Sequence, residues 1–176
     1  VEAIEKYLES FGKYVVQQAR TNLTKGKKNV TKDLYNSIKF TVTDNAQGYN
    51  VSFSMDSYGE FVDKGVSGNK KIQEFTTFDG RKVASPFKYT SKQPPAKPIS
   101  KWVSMKGIKG RDKKTGRYIT NMSLAFLIAK KIKRDGIKSL SFFQRPLGLG
   151  LNRLPNDILI SLKEEILNNL KTITAK

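Results

Sequence analysis

Residues 40–55 read Phe40-Thr41-Val42-Thr43-Asp44-Asn45-Ala46-Gln47-Gly48-Tyr49-Asn50-Val51-Ser52-Phe53-Ser54-Met55. Phe40 and Val42 alternate with Thr41 and Thr43. Val51, Phe53 and Met55 alternate with Ser52 and Ser54. Successive side chains of a strand point to opposite faces, so each run carries one apolar face and one polar face. Two such runs on either side of a short glycine-containing turn predict an antiparallel hairpin. Its apolar face needs a cover, and the flanking sequence supplies helices for that purpose.

Upstream, Ile4, Leu8, Phe11, Val15 and Ala19 recur every three or four residues, with Tyr7 and Tyr14 widening the stripe. This predicts an amphipathic helix over the first 23 residues. A polar, basic loop follows at 24–29, and Thr31 is placed to cap a short helix that turns Leu34 and Ile38 inward. Downstream, Asp56 or Ser57 is placed to cap a second short helix holding Tyr58, Phe61 and Val62, and Gly65 to end it. Pro94 and Pro95 lead into a helix at 96–105 with Ile99, Trp102 and Val103 on one face. Asn121 or Ser123 is expected to cap the next helix, which points Leu124, Ala125, Ile128 and Ile132 inward. Gly136 stops it, and Lys133 and Arg134 meet the negative end of its dipole. Trp102, Phe142 and Phe143 read as core. Pro155 is expected at the first position of the last helix, whose stripe is Ile158, Leu162, Ile166 and Leu170. The sum is an α+β fold: an antiparallel sheet packed by N-terminal, central and C-terminal helices. A chain of 176 residues buries enough surface to fold as one domain, 1–176, without a disulfide or a metal.

Residues 66–95 hold two aromatic pieces, Phe75–Phe78 and Val83–Tyr89, on either side of Asp79-Gly80. A projecting loop or hairpin is expected there. Aromatics beside lysines stack on single-stranded bases in some proteins. Here Phe75, Phe78, Phe87 and Tyr89 read rather as core or as anchors of a subunit interface.

Charge is the outstanding compositional feature. Lys and Arg number 33 against 15 Asp and Glu, a net of +18. There is no cysteine and no histidine, which removes disulfides, thiolate metal sites and the commonest general base and metal ligand. The acids show no metal-binding spacing. Asp56, Glu60 and Asp63 read as one capping acid and two solvated ones, and Glu164 and Glu165 as the polar side of the last helix. The expectation is a protein without catalytic residues, cofactor or metal. No apolar run approaches a membrane span. The acidic-basic opening stretch is unlike a signal peptide, so an intracellular folding compartment is expected.

Residues 66–120 form a basic insertion or loop region within the domain. Residues 81–118 alone hold twelve Lys or Arg and one acid, Asp112. The densest part is Lys106, Lys109, Arg111, Lys113, Lys114 and Arg117, interrupted by Gly107, Gly110 and Gly116. It lacks the Gly-Lys-Ser/Thr ending of a phosphate-binding loop. Without an apolar period it reads as a loop, either solvated or in contact with a polyanion. Three readings stand side by side: nucleic-acid phosphates, an acidic protein surface, and solubilisation.

A resemblance joins these pieces. Tyr58-Gly59-Glu60-Phe61-Val62-Asp63-Lys64-Gly65 resembles the tyrosine, aromatic-valine, glycine signature of small head–tail junction proteins of tailed bacteriophages. Leu34-Tyr35-Asn36-Ser37-Ile38 resembles that family's leucine, serine, isoleucine segment. The later run, in order, is Pro94-Pro95, Ile99, Trp102-Val103, Gly107-Ile108, residues 125–132, Gly136-Ile137, Phe142-Phe143 and Pro146-Leu147. Together these cover most of residues 2–170. The chain is thus similar to neck or tail-completion proteins, the group that includes lambda-like minor tail proteins. The resemblance implies a homo-oligomeric ring around the DNA channel of the virion, assembled in the host bacterial cytoplasm. Its neighbours would be portal or adaptor and tail proteins, with non-specific contact to genomic DNA and no membrane. The expanded basic region at 66–120 departs from shorter members of the family. The charge alone also fits a free cytoplasmic nucleic-acid-binding protein.

Overall fold

A computed structural model describes residues 2–45 and 48–174, with the side chains of residues 45, 159 and 161–174 outside that description. In chain order the elements are α1 (Glu2–Lys25), α2 (Asp33–Ser37), β1 (Lys39–Asn45), β2 (Gly48–Ser54), α3 (Gly59–Lys64) and β3 (Val66–Ser67). There follow β4 (Glu74–Thr76), β5 (Lys82–Ala84), α4 (Ala96–Lys106), α5 (Asn121–Asp135), β6 (Gly136–Ile137) and α6 (Gln144–Thr174). The fold is α+β, with small antiparallel sheets packed against helices.

The deciding hairpin forms as its alternation requires. β1 and β2 pair antiparallel with Phe40 opposite Phe53 and Val42 opposite Val51. The expected turn residues Ala46 and Gln47 lie outside the described residues. The apolar face of the hairpin lies on α1. Gly12 meets the Phe40 ring there so closely that a Cβ would overlap it, and this absence of a side chain sets the helix-to-sheet spacing. The Phe53 ring stands edge-on to Phe11 and to Phe143, with centroids 6.2 and 5.3 Å apart. Behind them Val16, Ala19, Leu23, Leu34, Ile38 and Phe142 form the buried core. Each large side chain fully buried there contributes about 1.5–3 kcal/mol.

The sheet expected as one unit is three separate two-stranded ladders: β1–β2, β3–β6 and β4–β5. Along the chain, α3 separates the first ladder from β3, and α4 and α5 separate β5 from β6. The 74–84 hairpin turns at Asp79-Gly80, where Gly80 has φ 85°. It does not stand free at its turn end. Ser141 Oγ accepts the Thr76 N–H, and the Gln144 side chain accepts the Phe78 N–H at 3.0 Å. Strand β5 keeps all its residues exposed.

Several helix ends differ from expectation. Helix α6 starts at Gln144, and Pro155 lies inside it. The proline suited to a first turn is Pro146, where a missing N–H costs nothing. The start is capped by Asp63, 80 residues upstream, whose Oδ1 accepts the Phe143 N–H at 2.9 Å and the Gln144 N–H at 3.4 Å. Asp63 is therefore buried, not solvated. Thr120, not Asn121 or Ser123, caps α5 by accepting the Ser123 N–H at 3.1 Å. Lys32 in a left-handed conformation precedes α2, and Thr31 instead donates to the Asp33 carboxylate. Tyr58 opens α3 without a side-chain cap, so neither Asp56 nor Ser57 caps it.

Helix α4 packs on α5, and Val103 of the first and Ala125 and Ala129 of the second are fully buried. Trp102 is 40% exposed and lies outside the core, against the expectation. Gly136 ends α5 with φ 79°, and β6 then pairs with β3. Helix α6 runs along α1, joined by a hydrogen bond from the Tyr7 hydroxyl to Asp157 at 2.9 Å. Burial and this acceptor push the Tyr7 hydroxyl up to about 12. Ile158 is half-buried as its stripe predicts. The side chains of Leu162, Glu164, Glu165, Ile166 and Leu170 lie outside the described residues.

Candidate functional site

The densest basic stretch is a folded hairpin. Helix α4 ends at Gly107, φ 66°, whose N–H donates to the Ser104 carbonyl, and the Ile108 N–H donates to that of Val103. These bonds satisfy the last carbonyls of the helix and turn the chain outward. The Ile119 N–H then donates to the Gly110 carbonyl at 3.0 Å, Arg111 pairs antiparallel with Tyr118, and the Asp112 N–H donates to the Arg117 carbonyl at 2.8 Å. The base of this hairpin rests on α5, with Gly110 against Leu124 and Ile119.

Asp112 builds the tip. Its Oδ1 accepts the Lys114 N–H at 2.9 Å, the Thr115 N–H at 2.8 Å and the Thr115 hydroxyl at 3.1 Å. Its carbonyl accepts the Gly116 N–H at 2.9 Å. An aspartate that bonds the backbone two and three residues ahead makes a tight turn without any apolar contact. The same bonds, the Thr115 N–H foremost, hold the Asp112 carboxyl below the ordinary carboxylate value. The single acid of the segment is thus spent on folding it.

The cations stand around that turn. Arg111 lies over the Tyr118 ring, 4.5 Å from its centroid, and donates to the Tyr118 hydroxyl at 2.7 Å. The Lys109 ammonium is 5.8 Å from the same ring. Tyr118 is 62% exposed, so one aromatic face is held by a guanidinium within reach of solvent. Lys113, Lys114 and Arg117 are exposed at and beside the tip. The hairpin therefore carries Lys109, Arg111, Lys113, Lys114 and Arg117. Lys106 stands apart from them, in the last turn of α4, where its ammonium donates to the Lys27 carbonyl at 3.1 Å and ties the helix to the loop after α1. Tyr118 escaped the sequence reading. Its signal was the spacing, an aromatic seven residues from Arg111 across an Asp-x-x-Thr-Gly turn.

The four aromatics expected at a subunit interface are spread over two places. Phe75 is half-buried in β4 opposite Val83, and Phe78 is 51% exposed at the turn. Phe87 packs on Phe61 with centroids 4.5 Å apart, the one ring contact any of the four makes among the described residues. Tyr89 is half-buried, and burial raises its hydroxyl above the ordinary value. The chain at 87–89 runs beside Ser67: Ser67 N–H donates to the Phe87 carbonyl and Tyr89 N–H to the Ser67 carbonyl, both at 2.8 Å.

The acids do not converge. Glu60 pairs with Lys64 at the surface, 3.8 Å apart, while Asp63 points inward to cap α6. Burial pushes the Asp63 carboxyl up, against the smaller pull of the Phe143 and Gln144 N–H groups. Among the described residues no group of three or more acids is arranged to hold a metal ion. Among them, too, no helix is long and apolar enough to cross a membrane. Comparison with protein-family models, curated proteins and solved structures finds no match to this chain.

Proposed function

We propose that this chain is a non-catalytic structural protein of a tailed-bacteriophage virion. It forms a homo-oligomeric ring at the head–tail junction, and its 108–119 hairpin touches the phosphate backbone of the DNA that passes through. The observation that carries the reading is the hairpin itself. Five cations are displayed on a hydrogen-bonded turn whose only acid is engaged in holding the turn. A pre-ordered set of cations loses less freedom on binding than a mobile loop does. Its contacts are to phosphate, which positions a duplex and carries no sequence information. The order of motifs from Leu34 to Leu147, similar to that of connector subunits, supports the reading, in which the neighbours would be portal or adaptor and tail proteins.

Mass spectrometry and cryo-electron microscopy of purified particles test the reading. A ring of this chain between head and tail is expected. Absence of the chain from the particles removes the connector reading and favours the second one, a free cytoplasmic nucleic-acid-binding protein, for which the same hairpin speaks.

A further inference from the structure

Two surface features, built from different segments, have opposite character. The first is an open groove of about 480 Å³ between the loop after α1 and the α4–α5 pair. Its floor is Pro98, Ile99, Trp102, Ile128, Ile132 and Ile137, and its only charged lining residues are Lys27 and Lys28. Ligand-sized clefts span about 300–1,000 Å³. Trp102, 40% exposed, is a large indole on its wall, the kind of residue that anchors interfaces.

The second feature is a knob at the start of α3. Tyr58 and Phe61, one helical turn apart, are 44% and 43% exposed. The Phe61 ring is fixed from behind by Phe87 at 4.5 Å. Asp56 and Glu60 flank them in the chain, Glu60 exposed and Asp56 half-buried. Lys64 pairs with Glu60 at 3.8 Å, and Lys39 lines one shallow depression together with Asp56. In a chain of net charge +18, an exposed aromatic pair flanked by two acids stands out from the basic surface.

We infer that the knob of one copy seats in the groove of the next, with Tyr58 and Phe61 against Trp102 and the isoleucine floor and Asp56 and Glu60 facing Lys27 and Lys28. The inference rests on the reading of the chain as a ring subunit and names its interface. Two copies of so basic a chain repel over most of their surface, so association is confined to faces of opposite sign. Knob and groove come from different residues, which makes the contact heterologous. Such a contact repeats from copy to copy and closes a ring when its rotation closes. Aromatic anchors give the contact its strength, and the charged rim sets its register and its encounter rate.

Sedimentation velocity across a concentration series tests this with charge exchange. Lys27→Glu with Lys28→Glu puts acids against acids, and Asp56→Lys with Glu60→Lys puts cations against cations. Each pair is expected to weaken self-association about tenfold or more, with the far-ultraviolet circular dichroism of the wild type. Carrying all four substitutions on one chain reverses both partners and is expected to restore assembly. The chain has no cysteine, so Glu60→Cys and Lys28→Cys on separate copies, which leave the aromatic anchors in place, give a clean cross-link. The mixture is expected to cross-link, and each variant alone much less. Assembly that survives both charge reversals, or that the fourfold variant fails to restore, overturns the proposed interface and leaves the ring on another surface. A wild-type chain that stays monomeric at every concentration overturns the ring reading as well.

Discussion

Arg111 and Tyr118 act as one unit: the guanidinium lies 4.5 Å from the ring centroid and donates to the phenol oxygen at 2.7 Å. The pair faces solvent across the mouth of a turn, and so it separates charge from stacking experimentally. Tyr118→Ala removes no cation. It is expected to leave the salt dependence of DNA binding unchanged while lowering affinity for single strands by the worth of one stacked base, about 1–3 kcal/mol. Arg111→Ala removes a phosphate partner and is expected to lower the slope of log affinity against log salt by about 0.9 on duplex DNA. Fluorescence titrations on single and double strands check both. A Tyr118→Ala slope that falls as far as that of Arg111→Ala contradicts the division of roles.

Asp112 holds the tip through three bonds to its Oδ1. Asp112→Asn keeps the acceptor and removes the negative charge, so the turn is expected to persist and DNA to bind more tightly at low salt. Asp112→Ala removes the acceptor, and the amides of Lys114 and Thr115 are expected to exchange with solvent markedly faster. Amide exchange measured by NMR decides. Equal protection in wild type and Asp112→Ala means the turn is held by something else.

Asp63 caps α6 from α3, and its loss frees the Phe143 and Gln144 N–H groups. Asp63→Ala is expected to cost about 1–2 kcal/mol of stability. Asp63→Asn retains an acceptor and carries no charge into the interior. Burial raises the Asp63 carboxyl, so the folded chain holds its proton more tightly than the unfolded one. The stability linked to this proton is full below the ordinary carboxylate value and is lost as pH rises through the folded value. The Asn variant is therefore expected to gain on the wild type as pH rises from the acid range to neutrality. Urea unfolding at acidic and neutral pH reads this directly. An Asn variant that loses ground to the wild type as pH rises has the wrong sign.

Gly12 faces the Phe40 ring with no room for a Cβ. Gly12→Ala is expected to destabilise by about 1–3 kcal/mol through overpacking, despite the better helix propensity of alanine. A thermal melt suffices, and an unchanged or raised midpoint refutes the close contact.

These sites also show where sequence is informative. Phe40, Val42, Val51 and Phe53 declared their face because period two is a local property, and α1 declared itself by its stripe of Leu8, Phe11, Val15 and Ala19. The start of α6 was hidden because its cap, Asp63, is distant in sequence and arrives only through the fold. Pro155, locally a good helix opener, drew attention from Pro146. Trp102 occupies the same helical stripe whether that stripe meets a core or a groove, so its exposure was not readable. The 108–119 segment lacks any apolar period because its order comes from backbone bonds to one aspartate side chain. The basic residues were legible by count. What made them a site, with Lys106 set apart and Tyr118 brought in, came from that turn.

The most direct test of the central claim is a titration of the full chain with a labelled DNA duplex at several salt concentrations. The wild type is compared with a variant in which Lys109, Arg111, Lys113, Lys114 and Arg117 are replaced by glutamine. Binding that weakens steeply with salt is expected, with a slope that drops by about 3–5 in the variant. Salt-independent binding, or a slope unchanged when the hairpin is neutralised, contradicts the assignment of this hairpin as the phosphate-contacting element.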